Sequence, residues 1–151
     1  MASTTASIIA KHIIGTFKNL GQPITNLKLQ KLLYYSQAWH LALHGRILFC
    51  DRIEAWVHGP VVPTVFREYR EFKWAPLPDD PTFTTPPIEI CEHIAEVLST
   101  YGKFDATQLE HLTHSEGPWM EARKGIPGDM ASTNEITHSA MMNYYRARLN
   151  A

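Results

Sequence analysis

Residues 23–45, PITNLKLQKLLYYSQAWHLALHG, contain the helix signal that decides the fold class. Thr25 or Asn26 can cap the start of a helix, and Gly45 is a natural terminator. Between them, one helical face is predicted to carry Leu29, Leu32, Leu33, Ser36, Trp39, His40 and Leu43. The stretch therefore predicts a long helix and favours a mainly α fold.

Further helices are predicted from apolar residues at helical spacing. They cover residues 8–17, a segment from Pro63 to Phe72, residues 88–101, a short segment capped by Asp105, a turn that starts at Pro118 and a closing segment capped by Thr137. Short β-prone pieces at residues 47–49 and 53–57 predict a small hairpin. Residues 76–87 contain five of the ten prolines and predict a stiff surface loop. We therefore expect one compact domain over residues 1–151, mainly α, with about six helices and a β-hairpin or short sheet near residues 47–57.

The composition argues against several classes of protein. The 151 residues carry a formal net charge of -1, and 44% are hydrophobic, as in ordinary globular domains. Without a Lys/Arg run, no direct binding to nucleic acid is expected from this chain alone. Cys50 and Cys91 are isolated, which favours a reduced, cytoplasmic protein. The N-terminus has no basic region ahead of its apolar residues and no apolar run reaches membrane-spanning length, so we expect neither secretion nor membrane association.

The residue pattern contains no recognisable catalytic or metal-binding motif. Of the eight histidines, His40 and His44 lie four residues apart and His111 and His114 three apart, so each pair can share a helical face. Neither pair has the glutamate of an HExxH motif or a third ligand at a recognisable spacing. No feature of the sequence activates a cysteine, and no glycine-rich phosphate loop is present. We expect a protein that is not an enzyme and that uses no cofactor or metal, with a metal-dependent hydrolase as the least favoured alternative.

Residues 54–72, EAWVHGPVVPTVFREYREF, crowd a Trp, a His, a Gly and two prolines in front of a predicted helix. Gly59 allows a positive φ, while Pro60 and Pro63 fix their own φ, so the stretch predicts a rigid corner. Two interpretations stay open. The corner either turns the chain around a buried Trp56, or it displays aromatic, His and apolar groups as a preorganised interface.

Three motifs together span nearly the whole chain. They are ITNLKLQKLLYYSQAWHLALHG at residues 24–45, LFCDRIEAWVHGPVVPTVFREY at 48–69 and LTHSEGPWMEAR at 112–123, followed by Ile136 and a helix with Tyr144 and Tyr145. In these motifs the chain resembles the SocA-like Panacea antitoxin domain family, which includes phage-associated GepA-like proteins. The positions that match the family signature are Lys28, Leu29, Gln30, Lys31, Leu32, Tyr34, Tyr35, Trp56, His58, Gly59, Pro60, Val61, Pro118 and Trp119.

The resemblance implies a mostly helical antitoxin that neutralises a cognate protein toxin, encoded by a neighbouring gene, by direct binding. It also leaves open an adaptor that delivers the toxin to a protease, or a solitary phage or mobile-element binding module. Only a few residues precede the first helix, so we expect no separate DNA-binding module in the chain. The residues proposed to contact the partner are Trp56, His58, Gly59, Pro60, Val61, Tyr69 and Trp119.

Overall fold

The computed structural model describes residues 4–149. Over this range the chain forms seven α-helices, one 3₁₀ turn and three short strands. In chain order they are α1 (Ala6–Asn19), α2 (Asn26–His44), β1 (Ile53–Trp56), β2 (Gly59–Val61), α3 (Pro63–Tyr69), the 3₁₀ turn Arg70–Phe72, α4 (Ile88–Tyr101), α5 (Ala106–His114), α6 (Gly117–Ala122), β3 (Glu135–Ile136) and α7 (His138–Leu149). The predicted mainly α fold with a small sheet is confirmed. No helix within these residues is both long and apolar enough to cross a membrane.

Helix α2 lies at the centre of the molecule. Helices α1, α3, α4, α5 and α7 and strand β2 all pack against it. Its side chains are therefore buried on nearly every side, including the polar Gln30, Lys31 and Gln37. The predicted single apolar face was too narrow for this environment, and Leu43, which was assigned to that face, is exposed.

Buried amide side chains on α2 bind the chain that follows the helix. The Gln37 Oε1 accepts the Leu48 N–H at 2.7 Å, and its Nε2 donates to the Phe49 carbonyl oxygen at 2.7 Å. The Gln30 Oε1 accepts the Val62 N–H at 2.9 Å. Buried backbone polar groups need hydrogen-bond partners, and here the two glutamine side chains supply them in place of a neighbouring strand. These bonds fix the path of the chain from α2 to α3.

The small sheet begins further along the chain than predicted. Strand β1 pairs antiparallel with both β2 and β3, in the order β2-β1-β3. Residues 47–49 form no strand, so the predicted first strand of the hairpin is wrong. The Leu48 and Phe49 backbone groups bond to the Gln37 side chain instead, and β1 takes its hairpin partner from the residues after it.

The helix ends follow local chemistry. The Thr5 and Thr25 side chains cap α1 and α2, and Asp105 forms a reciprocal capping box with Gln108 at the start of α5. Pro63 occupies the first turn of α3, as predicted. This helix ends at Tyr69, three residues earlier than expected, because the chain tightens into the 3₁₀ turn.

Candidate protein-binding groove

The corner at Trp56–Gly59 is the tight turn of the hairpin between β1 and β2. Gly59 has a φ of +106°, and a Cβ atom there would lie 2.8 Å from Lys31 Cε and 3.1 Å from Thr113 Oγ1. Glycine satisfies both the backbone angle and the available space. Pro60 follows in β2, an edge strand of the sheet, where a residue without an N–H is tolerated. The positive φ predicted for Gly59 is confirmed.

Helix α6 supports the hairpin from the interior. The Trp119 indole N–H donates to the Trp56 carbonyl oxygen at 2.8 Å. The Arg123 guanidinium lies 4.7 Å from the Trp119 ring centroid and donates to the Ala55 carbonyl oxygen at 3.0 Å. It also donates to two carbonyl oxygens of residues 124–134, the loop that follows α6. The buried Arg123 thus fixes this loop against the hairpin.

An open groove of about 610 Å³ lies beside the hairpin. Its walls come from the hairpin, the start of α2, the α3 segment and the loop after α6, and they are mostly apolar. Trp74 is 74% exposed, and the Phe66 ring meets the Trp56 ring edge-on with centroids 5.0 Å apart. The lining residues are Asn26, Leu27, Trp56, Val57, His58, Val61, Phe66, Arg70, Lys73, Trp74, Ala131, Ser132 and Thr133. We call this surface the hairpin groove.

Basic side chains line the hairpin groove, and none of its lining residues is acidic. Arg70 and Lys73 are exposed, and within residues 4–149 neither side chain forms an ion pair. His58 is also exposed, and its Nδ1 lies 3.1 Å from Glu110 Oε1, outside the groove. The groove therefore combines an apolar surface with the positive charge of Arg70 and Lys73, which has no counter-ion among the described residues.

Lys31 lies beneath the turn of the hairpin and is completely buried. Its Nζ has no hydrogen-bond partner within the described part of the chain. Burial lowers the pKa of this amine to about 7, against an opposing effect of the Glu110 carboxylate. The cause is desolvation, which penalises the charged form. Lys31 is therefore partly neutral near pH 7 and supports the hairpin turn at a cost in stability.

A histidine cluster lies at a different place, between α2 and α4. The rings of His40, His44 and His93 have centroid separations of 4.8 to 6.2 Å. His40 Nδ1 bonds the Arg46 carbonyl oxygen at 2.8 Å, and His93 Nε2 bonds that of Ser36 at 2.9 Å. Burial lowers the pKa of both His40 and His93. No group of three or more His, Cys, Asp or Glu residues in the range 4–149 is arranged to hold a metal ion.

The sequence matches known proteins in the region that builds most of the hairpin groove. The model of the Antitoxin SocA-like, Panacea domain family matches residues 29–86. Antitoxin SocA of Caulobacter vibrioides (strain NA1000 / CB15N) is 36% identical over 130 residues, which span 78% of this chain and 69% of that antitoxin. The chain belongs to the SocA-like Panacea antitoxin family. The family resemblance inferred from the three motifs is thereby confirmed, while no solved structure matches the chain.

The structure of this Panacea domain divides the seven predicted contact residues into two sets. Three line the hairpin groove: Trp56, His58 and Val61, of which Val61 is itself only 1% exposed. Four are buried beneath or away from it: Gly59, Pro60, Tyr69 and Trp119. Tyr69 and Trp119 are only 7% and 5% exposed, which favours structural support over direct contact with a partner.

Sequence reasoning missed other parts of the groove in this Panacea domain. Arg70, Lys73 and Trp74 follow the predicted corner and were not singled out. Trp74 did carry a signal, because it stands directly after a lysine and just before the proline-rich loop, where no helical face could bury it. Residues 131–133 carried none, since only the fold brings this loop to the hairpin.

Proposed function

We propose that this chain is an antitoxin that neutralises a cognate protein toxin by binding it directly, with the hairpin groove at the centre of the interface. The observation that carries this proposal is the open apolar groove with its exposed Trp74, built mostly from residues that the family model matches. Exposed apolar surface of this kind commonly marks a protein interaction site. Tryptophan and arginine are also the residues that most often dominate binding energy at interfaces.

Neutralisation by binding requires no bond to be made or broken. A specific interface buries about 1,200 to 2,000 Å² in total, so the groove would form its apolar centre and the surrounding polar surface its rim. An interface of that size can cover the working surface of a toxin or keep the toxin inactive. We therefore propose a binding role in the cytoplasm without catalysis, cofactor or metal.

Growth and co-purification test this function together. Cells express the open reading frame beside the gene for this chain, either alone or with the chain. We expect the neighbour to arrest growth, and we expect this chain both to restore growth and to co-purify with the neighbour's product. If the neighbour is harmless and nothing co-purifies, the proposed pairing is wrong.

A matched pair of variants connects the function to the groove. Trp74→Ala removes an exposed ring from the groove and should weaken both growth rescue and co-purification. Leu20→Ala removes a side chain that is also well exposed, at 64%, but lies outside the groove, and it should leave both unchanged.

Toxin abundance separates occlusion from delivery to a protease. It stays constant if the chain only blocks the toxin, and it falls in the presence of this chain if the chain is an adaptor.

A further inference from the structure

The charge of the hairpin groove restricts what can bind in it. We infer that the groove takes a short segment of the toxin that places an apolar side chain against the apolar lining and a carboxylate beside Arg70 and Lys73. The inference rests on the proposed function for the identity of the partner. The chemistry of the segment follows from the groove itself.

The apolar lining of the groove favours an apolar side chain. Trp56, Phe66 and Trp74 present aromatic surface, and Val57 and Val61 complete the apolar part. A volume of about 610 Å³ falls within the usual range of ligand pockets, about 300 to 1,000 Å³. This space fits a few residues of a partner segment and is too small for a folded domain.

The basic lining residues favour negative charge. Arg70 and Lys73 have no ion-pair partner within the described residues, and the lining contains no carboxylate. A carboxylate beside them gains charge-assisted hydrogen bonds, which are stronger than neutral ones. Lys73 also has a φ of +51°, a strained value for a residue other than glycine and one that is often found at binding sites.

The hairpin edge does not favour binding by strand addition. Strand β2 lies at the edge of the sheet, but Pro60 has no N–H to donate. Val61 pairs with Glu54 of β1, and the N–H after it, that of Val62, already bonds the Gln30 side chain at 2.9 Å. The segment is therefore recognised through its side chains rather than through a backbone ladder.

A single-stranded nucleic acid is the competing ligand, because aromatic rings beside basic residues can stack bases. Such binding normally uses a positively charged track along the backbone. This groove offers two permanent cations, and the chain as a whole has a formal net charge of -1. With so little positive charge, the groove favours a peptide segment over a nucleic acid.

Selection of short random peptides on the full chain tests the inference without knowledge of the toxin. We expect the enriched peptides to combine an aromatic or branched aliphatic residue with a nearby Asp or Glu. Trp74→Ala should weaken their binding about thirtyfold, as expected for an interface residue that contributes about 2 kcal/mol. The double variant Arg70→Glu, Lys73→Glu should enrich peptides with Lys or Arg in place of the acidic residue.

The matched controls carry the same changes outside the groove. Leu20→Ala and the double variant Arg67→Glu, Lys103→Glu alter exposed residues that do not line the groove, and they should select the same peptides as the wild type. Unchanged urea midpoints would show that all variants fold. Three results would overturn the inference: no enriched peptide, enriched peptides without acidic residues, or binding of oligothymidylate in preference to peptides.

The two proposals fail in different ways. If the wild-type chain rescues growth and the variant Arg70→Glu, Lys73→Glu rescues equally well, the groove inference is wrong while the antitoxin function stands. If no neighbouring product is toxic but the acidic peptides are selected as described, the proposed pairing is wrong while the groove chemistry stands.

Discussion

At the scale of single residues, Lys31 is the least expected feature of the interior. A completely buried amine with no hydrogen-bond partner among residues 4–149 loses its hydration and gains little in return. Its aliphatic stem nevertheless packs under Gly59, where a larger residue than glycine would collide with it. The lysine therefore shapes the hairpin turn while its charge opposes folding.

Lys31→Met keeps the stem and removes the amine. The unfolded chain retains the lysine proton up to about pH 10.4, whereas the folded chain releases it near pH 7. Between these values the unfolded state binds more protons, so the wild-type free energy of unfolding rises with pH. We expect the variant to be more stable than the wild type at pH 7, by about 1 to 3 kcal/mol, with an advantage that shrinks toward pH 10.

Urea unfolding of wild type and variant at neutral and alkaline pH measures this difference. Lys18→Met, at an exposed position, is the control and should change stability little at either pH. A Lys31→Met variant that is destabilised equally at both pH values would show that the amine makes a favourable interaction.

Gly59→Ala should destabilise the protein by about 2 kcal/mol or more, because it combines an unfavourable positive φ with a steric clash. Gly125→Ala separates the two effects. Gly125 also has a positive φ, of 82°, but a Cβ there meets nothing within 4 Å. The urea midpoint of Gly59→Ala should therefore lie below that of Gly125→Ala, and equal midpoints would mean that the contact with Lys31 costs nothing.

At the scale of elements, the contact between α2 and α4 depends on uncharged histidines. His40 and His93 are buried between the two helices, and burial lowers the pKa of each ring below 6.5. Below pH 6.5 these two rings bind protons more readily in the unfolded chain than in the folded chain. The free energy of unfolding therefore falls as the solution is acidified. The packing of α4 on α2 is thus favoured at neutral pH.

His93→Gln should reduce this acid sensitivity. The glutamine amide can still donate a hydrogen bond to the Ser36 carbonyl oxygen, which in the wild type accepts from the His93 Nε2–H. We expect the loss of stability between about pH 7.5 and pH 5.5 to be smaller in the variant, as measured by urea unfolding. His40, His12 and His114, whose pKa values are also lowered by burial, retain part of the acid sensitivity in this variant. His111→Gln, at an exposed position, is the control, and an equal change in both variants would contradict the assignment.

At the scale of the whole molecule, α7 closes the structure over α2. The Tyr145 hydroxyl donates to Glu116 Oε1 at 2.8 Å and lies 2.9 Å from the Tyr34 hydroxyl. The Arg146 Nε donates to the Ala42 carbonyl oxygen at 3.1 Å. Helix α7 therefore covers the aromatic side of α2, where the Tyr145 ring packs against those of Tyr34 and Trp39.

Truncation after Thr137 should prevent a packed native state. Without α7 the aromatic side of α2 meets water, so we expect retained helical far-UV circular dichroism, a weak near-UV signal and no cooperative thermal transition. Tyr145→Phe is the matched control. It keeps the ring and loses the hydroxyl bonds, so it should cost about 1 to 3 kcal/mol and still unfold cooperatively. A truncated chain with a sharp transition would show that α7 is dispensable.

The helices could be predicted because their signals are local. Thr25 and Asp105 bond the next turn of their own helices, and Gly45 ends α2 through its own φ of 68°. The strand predicted at residues 47–49 failed because the Gln37 side chain, eleven or twelve residues earlier, takes the backbone bonds of Leu48 and Phe49. A buried glutamine in the middle of a helix gives no sign of which segment it will bind.

The sequence by itself determined the helical class, the glycine of the hairpin turn and the family, because each of these depends on residues that are neighbours along the chain. Only the tertiary structure decided the burial of Lys31 and Trp119 and the position of Trp74 at the hairpin groove. The groove is lined by residues from Asn26 to Thr133, and no local pattern specifies which distant segments meet. Contacts between distant segments determine which residues are buried and which charges are paired, so the candidate site had to be found in three dimensions.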